Sequence, residues 1–216
     1  MSLSGFLFLF ILVLNLVMAT FGHKMEIGNS DPDAELQKIS NDPKKFQTSI
    51  VLALIEHGSI IALTILLFVV FGPYNLILGV VWTIFRIGEG LIQFYNEKNY
   101  WGLLNIAREY SGTSDAEKNS LSNLARTIFR TKDSRFKFAM ICWSIGTFAY
   151  STVFVLYGVV PQTIGWLGIV ASILVGFGNG IQLAKPNLPK VLGIGGLLAI
   201  LFEVILGGWL LFHSIV

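Results

Sequence analysis

Residues 75–95 form an apolar run that carries two charged side chains, Arg86 and Glu89, near its centre. About 20 residues of helix, at about 1.5 Å rise per residue, cross the roughly 30 Å hydrocarbon layer of a bilayer. A charge at that depth costs between about 3 and more than about 10 kcal/mol unless it is paired or hydrated. Glu89 follows Arg86 by one helical turn and can serve as its partner. We therefore expect other helices to cover this face, in a bundle with a polar interior.

The composition indicates an integral membrane protein. Mean hydropathy is +0.69 and 13% of the residues are charged, compared with about 25% in a typical soluble domain. The net charge of +2 is too small to suggest a nucleic-acid partner. Cys142 is the only cysteine, which excludes an internal disulfide, and it is expected to behave as a small hydrophobic residue. His23 is expected to be a solvated loop residue, and His213 to lie at the membrane interface.

Hydropathy predicts an all-α fold, a polytopic bundle of six transmembrane helices that forms a single membrane domain. The first run has no basic residue before it, so a transmembrane helix is expected there rather than a secretory signal peptide. The six spans are expected at residues 3–19, 50–72, 75–95, 138–160, 163–184 and 191–212.

Residues 96–137, between the third and fourth spans, are predicted to form a polar helical insert. Leu121, Leu124 and Ile128 recur at helical spacing, with basic residues between them. This pattern is typical of an amphipathic helix on the membrane surface, but a helix packed against its own protein has the same pattern. Both interpretations remain open.

The basic residues predict an orientation. Apart from Arg86, every Lys and Arg falls in the segments 20–49, 96–137 and 185–190, which alternating spans place on one side of the bilayer. By the positive-inside rule these segments are cytoplasmic and both termini lie outside.

Short motifs in three helices resemble a known family. They are F-R-I-G-E at 85–89 after the G-P-Y-N turn at 72–75, P-Q-T-I-G-W-L-G at 161–168, and F-E-V at 202–204 followed by W-L-L at 209–211. Their order and spacing resemble the bacterial and archaeal membrane-protein family catalogued as domain of unknown function 4386. The resemblance covers most of residues 1–212, and the insert 96–137 departs from the shorter connection that is usual there. It implies a small helical membrane protein and no particular activity.

Intramembrane polar residues are the candidates for a functional site. Counted from the outer helix ends at about 1.5 Å per residue, Arg86 and Glu203 lie at similar depths of roughly 16 and 14 Å, which predicts an ion pair between them. Such a pair can fix helix packing, or it can take part in ligand binding or proton handling.

A second polar layer is expected nearer the cytoplasmic side. It contains Glu56, His57 and Glu89, with Asn179 facing the same region if its helix is rotated inward. The layer is consistent with a satisfied polar cluster, a proton or cation site, or metal ligands. Adjacent positions such as 56 and 57 point about 100° apart on a helix, so they are poor joint ligands and no metal site is assigned.

Three functions remain open, and the first is favoured. The protein binds or transports a small ligand, lipid or ion through its polar interior, with the lipid bilayer as its surroundings. Alternatively, it is an accessory subunit of a membrane complex that docks a protein partner through the insert, where Arg126 and Arg130 are the candidates. The third is an intramembrane metal-dependent enzyme that uses His57 and Glu89. No motif identifies a catalytic residue, and any cofactor is unknown.

Overall fold

The structure, a computed structural model, describes residues 1–24, 28, 30–185 and 193–213. These residues are almost entirely helical and contain no strand. In chain order the helices are α1 (Ser2–Thr20), α2 (Pro32–Asn41), α3 (Pro43–Phe71), α4 (Leu76–Trp101), α5 (Leu103–Gly112), α6 (Asp115–Tyr157), α7 (Gln162–Ala184) and α8 (Gly193–Phe212), with a 3-10 turn at Gly72–Tyr74 between α3 and α4.

Six of these helices, all except the short α2 and α5, are long and apolar enough to cross a membrane. This confirms the expected all-α polytopic membrane fold. The helix bounds differ from the expected ones at one end of the bundle, because polar residues there continue the helices instead of interrupting them. Pro43 occupies the first turn of α3 and the Asp42 carboxylate accepts a hydrogen bond from Lys45 N at 2.9 Å. This proline and cap start the helix seven residues before the apolar run.

The segment 96–137 is likewise continuous with the long helices, whereas the sequence predicted a separate insert. Its first residues complete α4, the next part forms α5, and its second half is the start of the 43-residue helix α6. The buried face of this part of α6 is shifted from the expected one. Ala125 and Phe129 are 0% and 3% exposed, whereas Leu124 is 50% exposed. This part of α6 therefore packs against its own protein, which is one of the two interpretations that the sequence left open.

The six long helices contact one another in the ring order α1, α3, α4, α6, α7, α8 and back to α1. The two ends of this ring differ. The start of α1, the end of α8 and the turns α3–α4 and α6–α7 lie at one end, called here the termini end. Helices α2 and α5 contact each other at the opposite end, called the α2/α5 end.

Apolar side chains and close helix contacts fill the termini end. Its core includes Phe8, Phe71, Trp82, Tyr150, Phe154, Phe202 and Leu206. Glycines let backbones approach one another there, since a Cβ on Gly5 would lie 2.6 Å from Gly207 O. A smaller apolar cluster holds α2 and α5 against the starts of α3 and α6, and it includes Leu36, Ile39, Phe46, Leu103, Leu104, Ala125 and Phe129.

Candidate functional site

A cavity of about 690 Å³ lies within the ring, and all six long helices contribute to its wall. It contains all six of the sequence-derived candidates, Arg86, Glu89, Glu203, Glu56, His57 and Asn179, together with Asn15, His23, Gln93, Glu97, Lys132 and Gln182. The structure therefore brings the expected polar layers into one space. That these residues form a functional site stays a prediction.

Helix α4 supplies the most continuous polar surface of the cavity. Arg86, Glu89, Gln93 and Glu97 follow one another at intervals of three and four residues, which places them on one face of a helix. All four are buried, with exposures of 2–7%. Helix α4 therefore carries one buried polar stripe along the cavity.

Arg86 forms its ion pair within α4. Its Nη1 donates to Glu89 Oε2 at 2.6 Å. The expected ion pair between Arg86 and Glu203 is therefore wrong: one carboxylate oxygen of Glu203 instead accepts a hydrogen bond from Trp143 Nε1 at 3.1 Å. A partner one turn away on the same helix is within reach without fixing two helices against each other, and so Glu89 pairs with Arg86.

Carboxyl groups outnumber basic side chains in the cavity wall, which contains Glu56, Glu89, Glu97 and Glu203 but only Arg86 and Lys132 among the described lysines and arginines. The Arg86 guanidinium interacts electrostatically with Glu203 and Glu56 as well as with its direct partner Glu89. Within the described residues, no Lys or Arg lies within 4 Å of Glu203 or Glu56, although the Glu56 carboxylate contacts His57. A buried carboxylate without a full countercharge is costly in a low-dielectric interior, and binding of a cation or a proton offsets that cost.

Glu56 and His57 meet although neighbouring positions on a helix point apart. The Glu56 carboxylate contacts His57 Nδ1, and the edge of the imidazole lies against Phe94, with ring centroids 5.9 Å apart. In the described part of the chain, His57 Nε2 is buried and has no hydrogen-bond partner. Most buried polar atoms are satisfied in folded proteins, so this nitrogen is free to bind a polar group that enters the cavity.

A second charged cluster lies toward the α2/α5 end of the cavity. His23, expected to be solvated, has a side chain only 3% exposed, and its Nε2 lies 3.4 Å from Glu97 Oε1. Lys132 Nζ lies 3.2 Å from the same carboxylate and 3.5 Å from the centre of the Tyr100 ring. Burial lowers the pKa of His23 below its ordinary range, and the hydrogen bond with Glu97 opposes that shift.

The sequence does not place His23 in the interior, because residues 23, 97 and 132 belong to three distant segments. The spacing of Glu89, Gln93 and Glu97 on one helical face was the one signal available, and it points to a buried Glu97 only. The loop that carries His23 is held in place further along, where Gly28 N donates to Asp133 Oδ2 at 2.8 Å. The prediction of a solvated His23 is therefore wrong, because His23 packs against α4 and α6.

Other candidates lie apart from the charged centres. Asn179 is half-buried, and its amide donates to Val175 O at 2.8 Å within α7. Cys142 is buried, as expected for a small hydrophobic residue. Arg126 and Arg130 are exposed on α6, away from the cavity. No three His, Cys, Asp or Glu side chains converge as metal ligands among the described residues, so a metal-dependent reaction at His57 and Glu89 has no geometric support.

The fold and cavity define a class, an all-α membrane protein whose six long helices enclose a cavity with charged side chains in its wall. Residues 3–213 match the profile of the family described as domain of unknown function DUF4386. The chain belongs to this family, which confirms the resemblance of its motifs. No curated protein and no solved structure matched the chain.

Proposed function

We propose that this membrane protein binds a small positively charged organic ligand in the cavity between its helices. The observation that carries the proposal is that Glu56, Glu89 and Glu203 line one cavity of about 690 Å³ in which Arg86 pairs directly with Glu89 alone among them. Pockets of roughly 300–1,000 Å³ accommodate small organic molecules. A bound cation would supply the charged partner that Glu203 lacks among the described residues.

Glu203 and Trp143 are the residues that favour an organic cation. The Glu203 carboxylate lines the cavity and is held by the indole N–H of Trp143. Trp143 lines the same cavity, and the Arg86 guanidinium lies 6.0 Å from the centre of its ring. An indole attracts organic cations as well, especially where water is excluded. A carboxylate beside an aromatic ring therefore supplies both charge and a polarisable surface.

We further propose that the α2/α5 end faces the cytoplasm and that both termini lie outside. The positive-inside rule supports this orientation, since all Lys and Arg except Arg86 belong to segments at that end. Labelling of cysteines introduced at Ser2 and at the exposed Arg126, in a Cys142→Ala background, tests it with a membrane-impermeant thiol reagent on intact cells. Labelling at position 126 but not at position 2 would overturn this orientation.

The binding proposal is tested with radiolabelled benzyltrimethylammonium on protein in lipid nanodiscs. We expect saturable binding to the wild-type protein and about tenfold weaker binding to Glu203→Gln, since tenfold corresponds to about 1.4 kcal/mol for loss of a charge interaction. Glu109→Gln is the matched control, because Glu109 is exposed and lies outside the cavity. Benzenesulfonate, an anion of similar size, should not compete. Equal binding by the wild type and Glu203→Gln, or tighter binding of the anion, would contradict the proposal.

A protein partner at the α2/α5 end is a separate proposal, supported by the exposure of Arg126 and Arg130 on α6. Pull-down from solubilised membranes with wild type and Arg126→Ala/Arg130→Ala tests it. Recovery of the same proteins with both chains would contradict docking through these arginines.

A further inference from the structure

The wall of the cavity is not closed evenly around the ring. The lining residues that α3, α4, α6 and α7 contribute are buried or half-buried among the described residues. The lining residues that are exposed belong to α1 and α8. They are Leu16 and Ala19 on α1, and Gly193, Gly196, Ile200 and Val204 on α8. The cavity therefore opens sideways, between α1 and α8, onto the surface that faces lipid.

This opening, called here the α1/α8 cleft and defined by Leu16, Ile200 and Val204, begins where the two helices separate. At the termini end α1 and α8 touch backbone to backbone through Gly5 and Gly207. At about 1.5 Å per residue, Leu16 lies roughly 16 Å along α1 from that crossing and Ile200 roughly 10 Å along α8. The contact between α1 and α8 is thus closed at the termini end and open toward the α2/α5 end.

Helix α8 keeps its contact with α7 over the same length. A Cβ on Gly195 would lie 3.3 Å from Val175 N, and a Cβ on Gly168 would lie 2.6 Å from the Phe202 ring. Because α8 stays packed against α7, the cleft is a gap on one side of α8 and not a loosening of the whole helix.

The chemistry of the cleft changes with depth. Gly196, Ile200 and Val204 recur every four residues and so share one face of α8, and Glu203 lies beside Ile200 at the edge of this face. Ile200 and Val204 are exposed and apolar, whereas Glu203 is half-buried and is held by Trp143. An apolar slot open to lipid therefore leads directly to a carboxylate.

We infer that the cleft binds the tail of a single-chain cationic amphiphile whose head group reaches Glu203 and Trp143. The inference rests on the proposed function and names the class of its ligand, a long-chain amine or quaternary ammonium taken from the lipid phase. Inside a bilayer an apolar slot has no hydrophobic preference for one chain over another. Selection therefore depends on the charge of the head group, and the tail serves to concentrate the ligand in the membrane and to align it with the slot.

The experiment compares a tailed and a tailless cation on protein in nanodiscs. Radiolabelled benzyltrimethylammonium is displaced by dodecyltrimethylammonium or, as the neutral control with the same tail, by dodecanol. We expect dodecyltrimethylammonium to compete at a total concentration at least tenfold lower than unlabelled benzyltrimethylammonium, and dodecanol not to compete.

Tryptophan substitutions then fill the cleft. Leu16→Trp and Ile200→Trp, at positions 71% and 52% exposed, should weaken competition by dodecyltrimethylammonium about tenfold and leave binding of benzyltrimethylammonium unchanged. The matched controls are Val13→Trp and Leu201→Trp, on the same helices, 54% and 48% exposed and outside the cavity lining. They should change neither.

The outcomes separate this inference from the proposed function. If none of the four tryptophan substitutions changes the binding of either cation, the cleft inference is overturned and the cavity proposal stands. Equal loss of both cations in the two cleft variants also overturns it, because the tail would then have no role of its own. Absence of benzyltrimethylammonium binding to the wild-type protein overturns the proposed function and the inference with it.

Discussion

The two ends of the helix ring differ in the side chains that fill them. At the termini end, aromatic and aliphatic side chains interlock and glycines bring backbones into contact. Toward the α2/α5 end, the same six helices enclose charged side chains and a cavity. Close packing in one half fixes where the helices stand, and the other half can then keep polar groups whose interactions within the chain are incomplete. The comparison separates residues that specify the fold from residues that are available for binding.

The largest effect is expected from Arg86→Met, which removes the only arginine in the buried centre and leaves Glu89 without its partner. Removing one member of a buried ion pair costs about 3–5 kcal/mol. We expect a marked fall in thermal stability in detergent, measured by loss of the monodisperse peak after heating. The double variant Arg86→Met/Glu89→Leu should recover most of that stability, and a double variant as unstable as the single one would contradict the pair as the cause.

At the termini end, Gly5→Ala should destabilise by about 1–3 kcal/mol, because the added Cβ overlaps packed backbone. It would lie 2.3 Å from Leu211 N, so α1 and α8 must separate. Gly208→Ala is the matched control, since its Cβ would meet nothing within 4 Å. The same heating assay measures both. Equal stability of the two variants would show that the contact between α1 and α8 is looser than described.

Glu203→Gln tests whether a residue of the cavity can be changed without loss of stability, since it is expected to change binding but not folding. The amide keeps an oxygen that can accept the hydrogen bond from Trp143 and removes a buried charge. We expect thermal stability equal to or slightly above that of the wild type in the absence of ligand, within about 1 kcal/mol. A loss as large as that of Arg86→Met would instead assign Glu203 to the fold.

The smallest effect is a pH dependence that originates at His23. Its folded-state pKa is lowered by burial, so the unfolded chain binds more protons below about pH 6.5 and stability falls as the pH drops through that value. The groups that face His23 are Glu97 and Tyr100 from α4, Lys132 from α6 and, at longer range, His57 from α3.

We expect the melting temperature of the wild type to decline more between pH 7.5 and 5.5 than that of His23→Gln. His213→Gln serves as the control, because His213 is exposed near the end of α8. Parallel pH profiles for the wild type and His23→Gln would contradict a buried, neutral His23.

The sequence predicted the six long helices and that their polar residues face the interior, because hydropathy and helical periodicity act locally along the chain. Arg86, Glu89, Glu56, His57 and Glu203 were all expected in the interior, and they line one cavity. The sequence offered both Glu89 and Glu203 as partners of Arg86 and could not decide between them. That choice depends on the rotation and spacing of α4, α6 and α8, and the place of His23 depends on contacts with Glu97 and Lys132, which are distant in the sequence.

The length of α6 links the two ends of the molecule mechanically. Its 43 residues extend about 64 Å, roughly twice the thickness of the hydrocarbon layer. Between Arg130, exposed on this helix, and Trp143, beside Glu203, there is neither proline nor glycine, the usual causes of a sharp kink. The segment of α6 that packs against α2 and α5 and the indole beside Glu203 therefore belong to one uninterrupted helix. The packing that holds the start of α6 in place also fixes the position of the ring that holds Glu203.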